Sequence, residues 1–110
     1  MGTIDKDRML QFRGDELSDR DGESIGRIEE IYLDADSGEP EWALVHMGLF
    51  GGKRTFVPLA DATEADGKLR VPFEKKMVKD APTVEPNGQL TKSEEAGLYR
   101  HYGLEYGGVV

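Results

Sequence analysis

The side chains of this 110-residue chain that could carry chemistry are few: His46, His101, two acid-rich turns and one Gly-Gly-Lys. A general base needs a nucleophile and an orienting group within hydrogen-bond reach. His46 stands in E-W-A-L-V-H-M-G (41–48) among apolar neighbours, with no such set beside it. It reads as an ordinary strand histidine. His101 follows Arg100 at the end of a helical pattern, where a protonated imidazole suits the negative end of the helix dipole. It reads as a cap or a surface contact. There is no cysteine, which excludes disulfides and thiolate zinc sites.

The acidic turns fall short of metal loops. Asp19 to Glu30 has the length of a calcium loop, but the sixth position, which needs glycine for the sharp turn, is Ser24. Gly22 comes two residues early. The run from Asp34 has Val45 where a carboxylate must close the loop. Gly51-Gly52-Lys53 lacks the Gly-Lys-Ser/Thr that opens a phosphate-binding helix, and a strand follows it. Lys75, Lys76 and Lys79 form the one basic cluster, flanked by Glu74 and Asp80, and read as a solvated face. The expectation is no catalytic residue, no metal and no cofactor.

Charge narrows the partners. The net charge is −8, and residues 1–41 hold all of it, with 13 acidic against 5 basic residues. Phosphate tracking needs a basic field, so DNA is excluded as a partner and RNA or ribosome contact is disfavoured. The same field repels anionic lipid headgroups. No apolar run reaches the ~20 residues that span a bilayer. The N-terminus lacks the apolar stretch of a secretory signal, and Lys6 stands where a myristoylation motif needs Ser or Thr. The expected location is the cytoplasm.

Turns and periods then place these residues on elements. Residues 1–14 show no period and read as a loose arm with one short turn near Met9-Leu10. Asp21-Gly22 and Asp66-Gly67 are hairpin dipeptides, since glycine accepts the positive φ that tight β-turns need. Between Ser24 and Asp34 the alternation breaks at Glu29-Glu30. A β-bulge there would set Ile28 on one side with Ile31 and Leu33. Glu41 to Gly48 is apolar on both parities, as in a strand covered on both sides. Arg54 to Leu59 is a strand with Pro58 at its end or on an edge. Leu69, Val71 and Phe73 alternate, and Glu74 to Lys79 forms a turn of helix. Thr91-Lys92-Ser93-Glu94 is a capping box opening a helix over 92–102, with Gly103 as its left-handed stop. The spacing of turns favours an antiparallel sheet curled into a small barrel.

Three stretches resemble the PRC-barrel family, the barrel shared by the cytoplasmic domain of the photosynthetic reaction centre H subunit and a ribosome-maturation factor. They are D-G-E-S-I-G-R-I-E-E-I-Y-L-D (21–34), E-W-A-L-V-H-M-G-L-F-G-G-K-R-T-F-V-P-L (41–59) and L-Y-R-H-Y-G-L-E-Y (98–106). The kin it looks most like are small stand-alone bacterial members. The resemblance implies a mainly β fold: a small six-stranded barrel with a C-terminal helix, domain 15–106 and tail 107–110. It also implies a non-catalytic protein–protein interaction or assembly module that self-associates; the alternative is an accessory factor in RNA processing or ribosome assembly.

Aromatics supply the remaining interaction candidates. Trp42, Phe56 and Phe73 sit at strand positions and read as core. Phe50, in the turn with Gly51 and Gly52, has two readings: anchor for a partner, or packing on the C-terminal helix. Tyr99, Tyr102 and Tyr106 divide between the same two roles. A core built from about 60 residues leaves some aromatic surface outside, and interface centres are enriched in such groups. The expected assembly is a two-fold dimer joined through residues 42–110, besides an unidentified protein partner.

Overall fold

The longest strand shows how the sheet is shaped. The computed structural model describes residues 4–48, 52–83 and 92–104. Helix α1 is Lys6–Leu10, followed by β1 (Glu16–Ser18), β2 (Ser24–Leu33), β3 (Pro40–His46) and β4 (Arg54–Pro58). Then come β5 (Thr63–Ala65), β6 (Lys68–Arg70), α2 (Lys75–Lys79) and α3 (Lys92–His101). In β2 the buried residues are Ile25, Ile28 and Ile31, a period of three that no regular strand has. Two bulges cause it. Against β1 the register skips Ile25, and against β3 it skips Glu29. Each extra residue swaps the faces of the positions after it and bends the strand. The bulge expected at Glu29-Glu30 is thus present. A further shift at Tyr32/Leu33 turns Leu33 outward to 41% exposure, against the expectation that it joins Ile28 and Ile31.

The six strands form one sheet in the order β4-β3-β2-β1-β6-β5. This corrects the closed antiparallel barrel in two respects. First, β1 and β6 run parallel, with Leu17 opposite Leu69 and Ser18 opposite Arg70. Turn signals dictate direction only between strands joined by a hairpin, and no hairpin joins this pair. Second, the sheet is not closed. Its end strands β4 and β5 are linked by the turn at residues 59–62, where the Ala62 N–H donates to the Leu59 carbonyl. Pro58 has no N–H to extend the ladder, and β5 is three residues long.

The local expectations for β3, β4 and the Asp66-Gly67 turn hold. Strand β6, however, ends at Arg70, so Phe73 lies beyond the strand and is partly buried against the core instead of standing at a strand position within it. Trp42, Ala43, Leu44 and Val45 are all buried, and β3 pairs on both sides. Pro58 ends an edge strand. Asp66 and Gly67 both have positive φ, the geometry of a type I′ hairpin turn. The described core places Leu17, Ile28, Val45, Val57, Leu69 and Val71 at 0% exposure. Trp42 and Tyr32 meet Phe56 edge-on at 6.0 and 5.4 Å between ring centroids.

Residues 4–14 are packed, where the sequence suggests a loose arm. The Asp5 carboxylate caps α1 by accepting the Arg8 N–H, and Met9 and Phe12, one turn apart, are buried. The Gly14 N–H donates to the Ile28 carbonyl, and the Ile28 N–H to that of Asp15, carrying the β1–β2 pairing back into the arm. Helix α3 ends as expected. The Gly103 N–H reaches the Arg100 carbonyl and the Leu104 N–H that of Tyr99, with Gly103 at φ +72°. Those two bonds make a Schellman motif. Thr91 of the expected capping box lies outside the described residues.

Candidate functional site

The interaction candidates fall on the β3–β4 connection and on α3. Phe50, Gly51 and Tyr106 lie outside the described residues. Gly52 is held where no side chain fits, since a Cβ there would lie 1.6 Å from the Met47 carbonyl oxygen. Across the same connection the Met47 N–H donates to the Lys53 carbonyl, so the two sides of the turn are pinched together. Glycine at 52 is a steric requirement of that neck.

On α3, Leu98 and Tyr102 are buried and Tyr99 is half-buried. Tyr102 takes the core reading rather than the partner reading. It is 5% exposed, its ring lies 4.8 Å from Phe73, and its hydroxyl donates to the Phe56 carbonyl at 3.1 Å. Burial holds its phenol well above the ordinary tyrosine range. Tyr99 bridges two elements. Its ring meets Trp42 edge-on at 5.1 Å, and its hydroxyl donates to Glu41 Oε2 at 2.7 Å.

That bridge gathers carboxyl groups. Glu95 on α3 accepts the Trp42 indole N–H at 3.4 Å and also faces Glu41. Burial pushes the Glu41 carboxyl up, the Tyr99 hydroxyl pulls it down, and the charges of Glu95 and Asp34 raise it, with a net rise. Burial first, and then the bond to Glu41, raise the Tyr99 phenol. The helix is therefore seated by aromatic contacts and hydroxyl bonds despite acid facing acid. Neither Glu41 nor Glu95 is singled out by spacing in the sequence, because the pair forms only when α3 lies over β3.

Asp19 has the opposite character. It is 3% exposed, and its carboxylate accepts the N–H groups of Asp21, Glu23 and Lys75 at 2.8, 2.9 and 3.0 Å. Burial alone would raise it, but the backbone donors of Glu23, Lys75, Asp21 and Gly22 outweigh that and hold it below the ordinary carboxylate range. Glu74, the N-cap of α2, makes no side-chain cap bond, so Asp19 caps that helix from the β1–β2 hairpin. Its lone-pair capacity is taken up by folding. Asp34 likewise accepts the N–H groups of Asp36 and Ser37 within its own turn. Among the described residues no three His, Asp or Glu side chains converge as a metal set.

The remaining chemistry-bearing residues are dispersed. His46 stands opposite Arg27 and Arg54 in the sheet, beside a surface hollow of about 500 Å³ that Glu16 and Lys75 also line. His101 Nε2 lies 2.7 Å from the Met77 carbonyl; a carbonyl only accepts, so that nitrogen carries the proton. Lys75, Lys76 and Lys79 share a hollow of about 450 Å³ with Glu23 and Asp80, and Lys76 pairs with Asp80 at 3.3 Å. No described helix is long and apolar enough to cross a membrane.

A bulged six-stranded sheet, packed inside by its own side chains and flanked by short helices, defines a small β-domain whose buried polar side chains are few: Ser18, Asp19 and Thr55 among the described residues. Compared with family models, the chain matches the PRC-barrel domain over residues 7–78, well over half its length, and it belongs to that family. PRC-barrels are a non-catalytic, protein-interaction type of domain. The match starts within α1 and ends within α2, so α3 lies beyond it. No curated protein matches the chain.

Proposed function

We propose that the chain is a non-catalytic interaction module of the cytoplasm that pairs two-fold with a second copy of itself and, so paired, presents surfaces to other proteins. The observation that carries this reading is the packed interior. With Leu17, Ile28, Val45, Val57, Leu69 and Val71 at 0% exposure, the buried face of the sheet is filled by its own side chains. Function then falls to the outer surface. Charge favours residues 42–110 for the contact, because the acidic first 41 residues of two copies repel each other. Tyr102 serves by holding α3 in place, while Phe50, the half-buried Tyr99 and Tyr106 remain the candidate contacts. Met77, 38% exposed on α2, adds apolar surface to the same half.

Cross-linking an equimolar mixture of ¹⁴N- and ¹⁵N-labelled protein tests the proposal, since mixed-isotope products identify links between copies. The expected links join residues within 42–110 at tens of micromolar protein. Their absence, together with RNA binding that falls steeply with salt, contradicts the proposal and supports the RNA-processing or ribosome-assembly role instead.

A further inference from the structure

A row of charged side chains crosses the outer face of the sheet. Glu16 of β1 stands opposite Arg27 of β2, Arg27 opposite His46 of β3, and His46 opposite Arg54 of β4. Residues paired in this way share one face. The neighbouring row, Ile28, Val45 and Thr55, is buried on the other. Arg54 is neutralised by Glu29, which accepts its Nε–H at 2.7 Å and an Nη2–H at 3.4 Å. Arg27 is exposed and makes no ion pair among the described residues. Its cross-strand acid, Glu16, is engaged by the Ser24 hydroxyl instead. Two arginines about 10 Å apart, across two strand spacings, repel rather than stabilise, so folding does not account for them.

Arg27 and His46 border a hollow of about 500 Å³. Lys75 of α2 joins them, its backbone N–H held by Asp19 at 3.0 Å, and its ammonium makes no ion pair among the described residues. Gly26 and Gly48 line the hollow without side chains. At Gly26 the bare wall is enforced, because a Cβ would lie 2.5 Å from the His46 carbonyl oxygen. The acid that lines the hollow is Glu16, against Arg27 and Lys75. The hollow is thus cationic in a chain whose net charge is −8.

We propose that this hollow binds a small hydroxylated phosphomonoester, its phosphate held by Arg27, His46 and Lys75 and its hydroxyls by Glu16 and Ser24. This adds a ligand to the interaction module and does not depend on its pairing. A phosphate presents three acceptor oxygens, which donors from β2, β3 and α2 can share. An extended phosphate chain needs a basic track, and the acidic remainder of the chain denies it one. A small molecule keeps its charge inside the hollow, whose volume falls within the roughly 300–1,000 Å³ of small-molecule sites. Glu16 opposes a bare anion but accepts hydroxyl donors, so it selects a phosphate on a hydroxylated stem.

The test is an NMR titration of the full chain, labelled with ¹³C and ¹⁵N, with ribose 5-phosphate, ribose, inorganic phosphate and hexauridylate. Ribose 5-phosphate should move the His46 ring and Arg27 Nε–H signals together and saturably. Ribose and inorganic phosphate should each bind at least tenfold more weakly. Arg27→Gln, at an exposed position where the fold does not depend on the side chain, should weaken ribose 5-phosphate about tenfold through loss of a charge-assisted bond. Four outcomes overturn the proposal: an unmoved His46 ring, shifts confined to Lys76 and Lys79, inorganic phosphate matching ribose 5-phosphate, or Arg27→Gln binding as the parent does. Hexauridylate binding more tightly than ribose 5-phosphate also overturns it, and assigns the row to nucleic acid.

Discussion

Replacing Tyr102 tests whether α3 is an integral part of the domain, although it lies beyond the family match. The ring is buried against Phe73, and its hydroxyl spans to the Phe56 carbonyl on β4. Truncating a buried aromatic to alanine costs about 3–5 kcal/mol from lost transfer energy and the cavity left behind. A domain of this length holds roughly 5–15 kcal/mol in total, so Tyr102→Ala should remove a large fraction of it. Tyr102→Phe keeps the ring and removes only the hydroxyl, leaving the Phe56 carbonyl without that donor; the expected loss is about 1–2 kcal/mol. Urea titrations followed by tryptophan fluorescence suit both variants, because Trp42 lies under Tyr99 of the same helix. An unchanged slope with a lowered midpoint assigns the effect to stability alone. If Tyr102→Ala melts within about 1 kcal/mol of the parent, α3 does not hold the sheet together and the packing argument fails. If only Tyr102→Phe is neutral, the hydroxyl bond is what fails.

The two unusual acids should respond to pH with opposite signs. Asp19 has a depressed folded pKa, so its contribution is present above the ordinary aspartate range and is lost as pH falls through the folded value. Asp19→Ala should cost about 3 kcal/mol at pH 7 and progressively less in acid, as read from denaturation at each pH; an equal cost throughout would show that the carboxylate charge is not involved. Glu41 has a raised folded pKa, so its contribution is present below the ordinary glutamate range and is lost as pH rises through the folded value. Glu41→Gln should therefore gain stability relative to the parent between pH 4 and pH 7 in thermal melts, and a relative loss over that window contradicts the facing of Glu41 by Glu95. Gly52→Ala drives a Cβ against the Met47 carbonyl oxygen and should cost about 3 kcal/mol in the same melts, the upper end of overpacking penalties; a neutral result means the neck between Met47 and Lys53 opens freely.

What the sequence makes legible is what local chemistry decides. Asp66-Gly67 announces its turn because the two positive φ angles it needs are open to few residue pairs, and Gly103 announces a helix end for the same reason. The break in alternation at Glu29-Glu30 announces a bulge because burial has to be recovered on one face. Long-range choices leave no such mark. Nothing in Leu17 or Leu69 says that their strands meet in parallel, and Pro58 marks a strand end or an edge without saying that the sheet stays open there. The arm misleads because Met9 and Phe12 are too few to show a period, yet they suffice to cover a core. The candidate site follows the same division. Gly52 and the α3 tyrosines stand out by type, although Tyr102 proves to be core. Glu41 acquires its character from Tyr99, 58 positions away, and Asp19 from its own turn together with Lys75, 56 positions away.

Self-association through residues 42–110 is the central claim, and light scattering on a sizing column measures it directly. At tens of micromolar protein the expected mass is about twice 12.2 kDa, and Phe50→Asp should shift it toward the single-chain value. A peak at 12.2 kDa for the parent protein contradicts self-association, and a dimer that survives Phe50→Asp unchanged contradicts its placement at that turn.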